Sequence, residues 1–92
     1  MHDWRLLTIF FDWKQGIVII EVVEYKEVVE LKASGVVELL VPRFREWGPS
    51  VFINEANISN KDQKGNSIMT IEMQTGDEIK ITAEEFILPE GF

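Results

Sequence analysis

The sequence has 92 residues and no cysteine, and its 16 acidic residues outnumber 9 basic ones for a formal net charge of −7. A chain of this length makes one domain, residues 1–92, that buries roughly 60–65% of its unfolded surface. The missing thiols exclude disulfides, thiolate zinc sites and cysteine nucleophiles, and the charge opposes phosphate backbones and anionic membranes while favouring a basic protein partner. Hydrophobic residues at 46% and charged residues at 27% belong to a folded protein.

The chain opens on MHDWRLLTIFFDW, whose short apolar run, broken by Asp12, lacks the layout of a signal peptide. Small secreted domains depend on disulfide staples, so a cysteine-free chain is expected in the cytoplasm. Within WRLLTIFFD, alternation sets Leu7, Ile9 and Phe11 on one face and Thr8, Phe10 and Asp12 on the other. Trp4 and Trp13 flank this strand and are expected to cover edges of the core. WKQG reads as a turn into GIVIIEVVEY, apolar on successive positions from Ile17 to Ile20 and so expected to be a central strand buried on both faces. The first two strands form a hairpin.

EVVELKASGVVELLVP reads as a second hairpin turning at Ser34-Gly35, with Lys32 opposite Glu38. VFINEANI is a further strand, with Phe52, Ala56 and Ile58 on alternate positions from Val51, Ile53 and Glu55. The polar segment SNKDQKGN is expected to be the most mobile loop. In SIMTIEMQTGDEIKITAEEF the alternation predicts a hairpin with a three-residue loop, Thr75-Gly76-Asp77, pairing Met73 with Ile79 and Ile71 with Ile81. EEFILPEGF fits either a strand continuation or a single helical turn before Pro89 and Gly91. Strands at about 10–12 residue intervals predict an all-β domain: about seven short, mostly antiparallel strands in a small barrel or sandwich built from consecutive hairpins.

Signatures of catalysis are sparse. The single histidine, His2, stands beside the terminus. No Gly-rich phosphate loop is present, and no serine occupies a nucleophile elbow. The carboxylates, Glu72 and Glu84 among them, read as solvated surface charge rather than as a paired acid and base. KDQKGN holds one aspartate between lysines, which is not a calcium loop. The expectation is a protein that is not an enzyme and carries no metal and no cofactor.

One stretch stands apart. PRFREWGPS holds two of the three arginines and a tryptophan. In an extended segment Arg43, Arg45 and Trp47 share a side. Arginine beside tryptophan is a recurrent recognition pair, worth about 0.5–2 kcal/mol, and guanidinium forks suit anionic groups. Arg43, Arg45, Trp47 and Ser50 are therefore the candidate recognition surface. The same stretch is equally suited to a structural arch, since Pro42 ends a strand and Gly48-Pro49 makes a turn.

Trp47-Gly48-Pro49-Ser50 followed by Ile71-Glu72-Met73-Gln74-Thr75-Gly76-Asp77 resembles a group of small uncharacterised bacterial β-proteins that carry PWGPS and then IEMQSGD. The resemblance covers residues 36–83; Glu46 replaces the proline and Thr75 the serine of that pattern. It implies a bacterial source and no particular activity. Three functions remain: a protein-binding module, in one form an immunity-type protein that neutralises a basic partner; a small-ligand-binding β-barrel that holds an anionic or aromatic ligand at Arg43, Arg45 and Trp47; and a structural homo-oligomer joined through a strand edge.

Overall fold

The alternating apolar residues do form strands. The computed structural model describes residues 4–44 and 51–92. Its strands are β1 (Arg5–Asp12), β2 (Ile17–Glu24), β3 (Glu27–Leu40), β4 (Ile53–Ile58), β5 (Ser67–Met73) and β6 (Glu78–Ile87). They make one antiparallel sheet in the order β1-β2-β3-β6-β5-β4. Two three-stranded meanders are thus joined through their last strands.

Among the described residues the sheet is open, and the expectation of about seven strands in a barrel or sandwich is corrected to six strands in one sheet. Among these residues its edges meet at an isolated bridge between Arg5 and Phe52. Leu6 N donates to Val51 O (2.8 Å) and Ile53 N to Trp4 O (2.8 Å) at this point. Among the described residues no ladder between β1 and β4 extends from it.

One face of the sheet carries the core. Val18, Ile20, Leu31, Ile53, Met69, Ile71 and Ile81 are each at most 1% exposed, and they form one cluster drawn from β2 to β6. Each large aliphatic side chain buried in this way contributes about 1.5–3 kcal/mol. Residues from both meanders touch, so the sheet curls its inner face onto itself. Trp4 is buried in this cluster, as expected, but Trp13 is 85% exposed at the β1–β2 turn, where its ring tilts against that of Phe11 with centroids 5.9 Å apart rather than closing an edge of the core.

The largest departure from the expected arrangement is at Ser34-Gly35. These residues do not turn a hairpin; they lie inside β3, a single strand of 14 residues. Gly35 has φ +62, and a Cβ there would meet the side chain of Glu84 at 2.8 Å. A glycine supplies the left-handed backbone either in a turn or in a bent strand, and here it bends β3 where β6 crosses. Lys32 therefore pairs with Ile19 and Ile87, not with Glu38, which pairs with Thr82. The turn that was expected at residue 34 occurs earlier, at Tyr25-Lys26, between paired Glu24 and Glu27. Tyr25 takes φ +57 without the help of a glycine.

Three bulges change which residues face inward. Register slips at Leu7 in β1, Val37 in β3 and Asn54 in β4. The slip at Leu7 turns it outward and brings Leu6 inward beside Ile9. The slip at Asn54 puts Ile53, Ala56 and Ile58 together on the core side, where simple alternation separates Ile53 from the other two. In β2 Val18, Ile20 and Val22 face the core; on the outer face Ile17 and Ile19 stand half-buried and Val23 is buried. From Ile17 to Ile20 the strand is fully buried on one side and half-buried on the other, not buried on both.

The β5–β6 loop has three residues, one position earlier than expected. Met73 N donates to Asp77 O (2.9 Å) and Gly76 N to Met73 O (2.9 Å), so Gln74-Thr75-Gly76 is the loop and Gly76 takes φ +94. Ile71 pairs with Ile79, and Met69 with Ile81. The register moves by two residues, which preserves every face. The C-terminal alternative resolves as strand, since β6 runs to Ile87. SNKDQKGN is a hydrogen-bonded turn: Asp62 Oδ1 accepts from Lys64 N (2.8 Å) and Asn66 N (3.0 Å), and Lys61 Nζ donates to Glu84 O (2.6 Å). The Asn66 and Lys64 amides hold the Asp62 carboxyl below its ordinary value.

Gly35→Ala combines a left-handed backbone with contact against Glu84 and is expected to lose about 1–3 kcal/mol in urea denaturation. A change within a few tenths of a kcal/mol would contradict the bend. A lowered carboxyl pKa stabilises the fold above the unfolded value and loses that effect as pH falls through the folded one. Asp62→Asn is therefore expected to lower the Tm at pH 7, with the gap to wild type closing below about pH 4; a gap independent of pH would contradict the charged acceptor.

Candidate functional site

Of PRFREWGPS the described residues are Pro42, Arg43 and Phe44. β3 lies at the centre of the sheet and β4 at its edge, with β6 and β5 between them. Pro42 follows the last strand residues, as its missing N–H requires. Phe44 N then donates to Asp77 Oδ1 (3.1 Å), and Thr75 Oγ1 donates to Asp77 Oδ2 (3.0 Å). At the far end Gln74 N donates to Phe52 O (3.0 Å). The β5–β6 loop, inside the second stretch of the resemblance (71–77), thus bonds to Phe44 and Phe52, while the first stretch, 47–50, lies outside the described residues.

Between these anchors lies a hollow of about 260 Å³. Leu6, Val41, Met73 and Ile79 give it apolar walls, and Arg43, Thr75 and Asp77 line its polar part. Of the candidate recognition residues, Arg43 is placed at this hollow, whereas Arg45, Trp47 and Ser50 lie outside the described residues. Sequence reasoning missed Thr75 and Asp77 as members of this region. Their only signal was the resemblance, which couples their stretch to Trp47-Gly48-Pro49-Ser50.

A second surface emerges from the register. The outer face of β1, β2, β3 and β6 is ordered in rows that cross the strands. Phe10, Ile19, Lys32 and Ile87 are paired in one row. Phe10 is 58% and Ile87 60% exposed, with Ile19 and Lys32 half-buried between them. On one side of this row lies Thr8-Glu21-Glu30. On the other, Asp12 pairs with Ile17 and Ser34 with Glu85. An apolar stripe is therefore flanked by carboxylates on both sides.

The carboxylates are arranged against their own repulsion. Glu21 is paired with Glu30, Glu24 with Glu27, Glu55 with Glu72, and Glu72 with Glu78. Like charges directly opposite in a sheet are destabilising. Thr8 Oγ1 donates to Glu21 Oε1 (2.6 Å) and Asn54 Nδ2 to Glu72 Oε1, so neutral donors serve two of these groups. Among the described residues no three acidic or histidine side chains cluster closely enough to hold a metal ion.

No family model matches the chain, and no curated protein matches it. The fold is similar to the crystal structure of an uncharacterized protein from Neisseria gonorrhoeae, with a TM-score of 0.72 and 19% sequence identity over 95% of this chain and 90% of that one.

Proposed function

We propose that this chain is a non-catalytic protein-binding module that engages a basic partner through the outer face of β1, β2, β3 and β6. Its most specific form is a cytoplasmic bacterial immunity-type protein that neutralises a basic toxin, and kinship with the small bacterial β-proteins carrying WGPS and IEMQ(S/T)GD is part of this proposal. The carrying observation is the pair of glutamates directly opposed on that face, Glu21 and Glu30. A sheet gains nothing in stability from such pairs. A partner's lysine or arginine placed between two carboxylates removes the repulsion and gains charge-assisted hydrogen bonds. The exposed Phe10 and Ile87 beside them supply the apolar contact that charge alone lacks. A homo-oligomer joined through strand edges has less support, because both edge strands carry bulges, a feature that discourages edge pairing.

The hollow beside Arg43 supports a second reading, a site for a small amphipathic anion with its apolar part against Met73 and Ile79 and its charge at the guanidinium. A graded series of aliphatic carboxylates is then expected to raise the Tm with chain length until the hollow is filled, and Arg43→Ala to abolish the rise. A series without any shift in the wild type would remove this reading.

For the main proposal, Glu30→Gln, which removes the repulsion with Glu21 on the outer face, is expected to raise stability by about 0.2–1 kcal/mol while weakening capture of a basic protein from the native cell's lysate at least tenfold. Raised stability with undiminished capture would mean that this pair is surface charge without a role in binding.

A further inference from the structure

We infer that the element received by this outer face is a basic amphipathic α-helix of the partner, lying across the strands along the row Phe10–Ile19–Lys32–Ile87; this rests on reading the acidic outer face as the protein-binding surface. The dimensions carry the inference. Adjacent strands are spaced about 4.8 Å apart, so the row from β1 to β6 spans about 14 Å. That is the length of roughly ten helical residues, or nearly three turns. Same-face rows within a strand are about 6.7 Å apart. A helix with its side chains has a radius of about 5–6 Å. Its apolar stripe therefore falls on Phe10, Ile19 and Ile87 while its two flanks stand over the neighbouring rows. Those rows present Glu21 and Glu30 on one side and Asp12 and Glu85 on the other.

Charge sets the sequence of the helix. Lysine or arginine on both flanks meets these four carboxylates. Lys32 interrupts the apolar row, and its half-buried stem continues the apolar surface while its ammonium calls for one acidic residue on the helix. The surface thus selects an apolar stripe with one acid in it and basic margins. A uniformly basic segment satisfies the carboxylates but leaves Phe10 and Ile87 uncovered. An extended strand would need a free sheet edge, and this row lies on a face, where backbone groups are already paired within the ladders.

The test uses two labelled peptides of about 14 residues, built from leucine, lysine and one glutamate. One places the leucines on a single helical face. The other has the same composition with the leucines scattered around the helix. Fluorescence anisotropy is expected to show the first bound at least tenfold more tightly by the full-length protein. Phe10→Ser with Ile87→Ser, two exposed positions whose folding is checked by circular dichroism, is expected to erase that preference and leave weak, salt-sensitive binding of both. Equal binding of the two peptides by wild type would overturn the helix while leaving the acidic surface as a site for basic partners. Failure to bind either peptide would overturn both readings. A preference that survives in the double variant would place the helix elsewhere and overturn the assignment to this row.

Discussion

The ladder between β3 and β6 joins two meanders, each of which alone would leave an apolar face in water. It is a long-range pairing, set by residues far apart in the chain, and it contains the bend at Gly35 against Glu84. That bend lets a 14-residue strand serve both halves of the molecule. Before Gly35, β3 completes the first meander through Leu31 and Ala33; after it, Leu39 packs against the core from the second. Among the described residues the contact between the two edges then amounts to one bridge, because the curl of the sheet is already determined at its centre.

The same ladder creates the surface for which binding is proposed. Ile87 reaches the row of Phe10 and Ile19 only because β6 pairs with β3 in this register. A shift by one residue would exchange inner and outer faces, burying Lys32 and exposing Leu31. The inner face is apolar through its centre, with Ser67 buried in it and Glu24 and Glu27 at its rim. On the outer face glutamates oppose glutamates at three places in the ladders, Glu21–Glu30, Glu55–Glu72 and Glu72–Glu78. The stability forgone there is the reason a binding role is proposed for this face.

Much of the fold was legible in the sequence, for reasons that also explain where legibility stopped. Period-two alternation in SIMTIEM and EIKITA identified both strands and their core faces, and it survived an error of two residues in register because faces repeat every two. Gly35 was recognised as a special backbone position, but a glycine at positive φ serves a turn and a strand bend alike, and Glu84, which decides between them, lies far along the chain. Tyr25-Lys26 gave no sign of a turn because it lacks glycine, asparagine and aspartate. The bulges at Leu7 and Asn54 reversed faces that alternation had assigned. Of the candidate site, Arg43 stood out by its residue type. Its place in one hollow with Asp77 and Thr75 depends on the end of β3 meeting the β5–β6 loop, and the outer row depends on three ladders at once, so neither is written in any local stretch.

The central claim is that the outer face of β1, β2, β3 and β6 is the surface this protein presents to a basic partner. A photo-crosslinking residue placed singly at Phe10, Ile87, Phe44 and Asn57, in the native cell, followed by mass spectrometry of the adducts, tests it most directly. The account predicts one and the same basic protein, crosslinked from Phe10 and Ile87 and absent from Asn57 on the exposed side of β4. Adducts from Phe44 or Asn57 with none from Phe10 and Ile87 would contradict it.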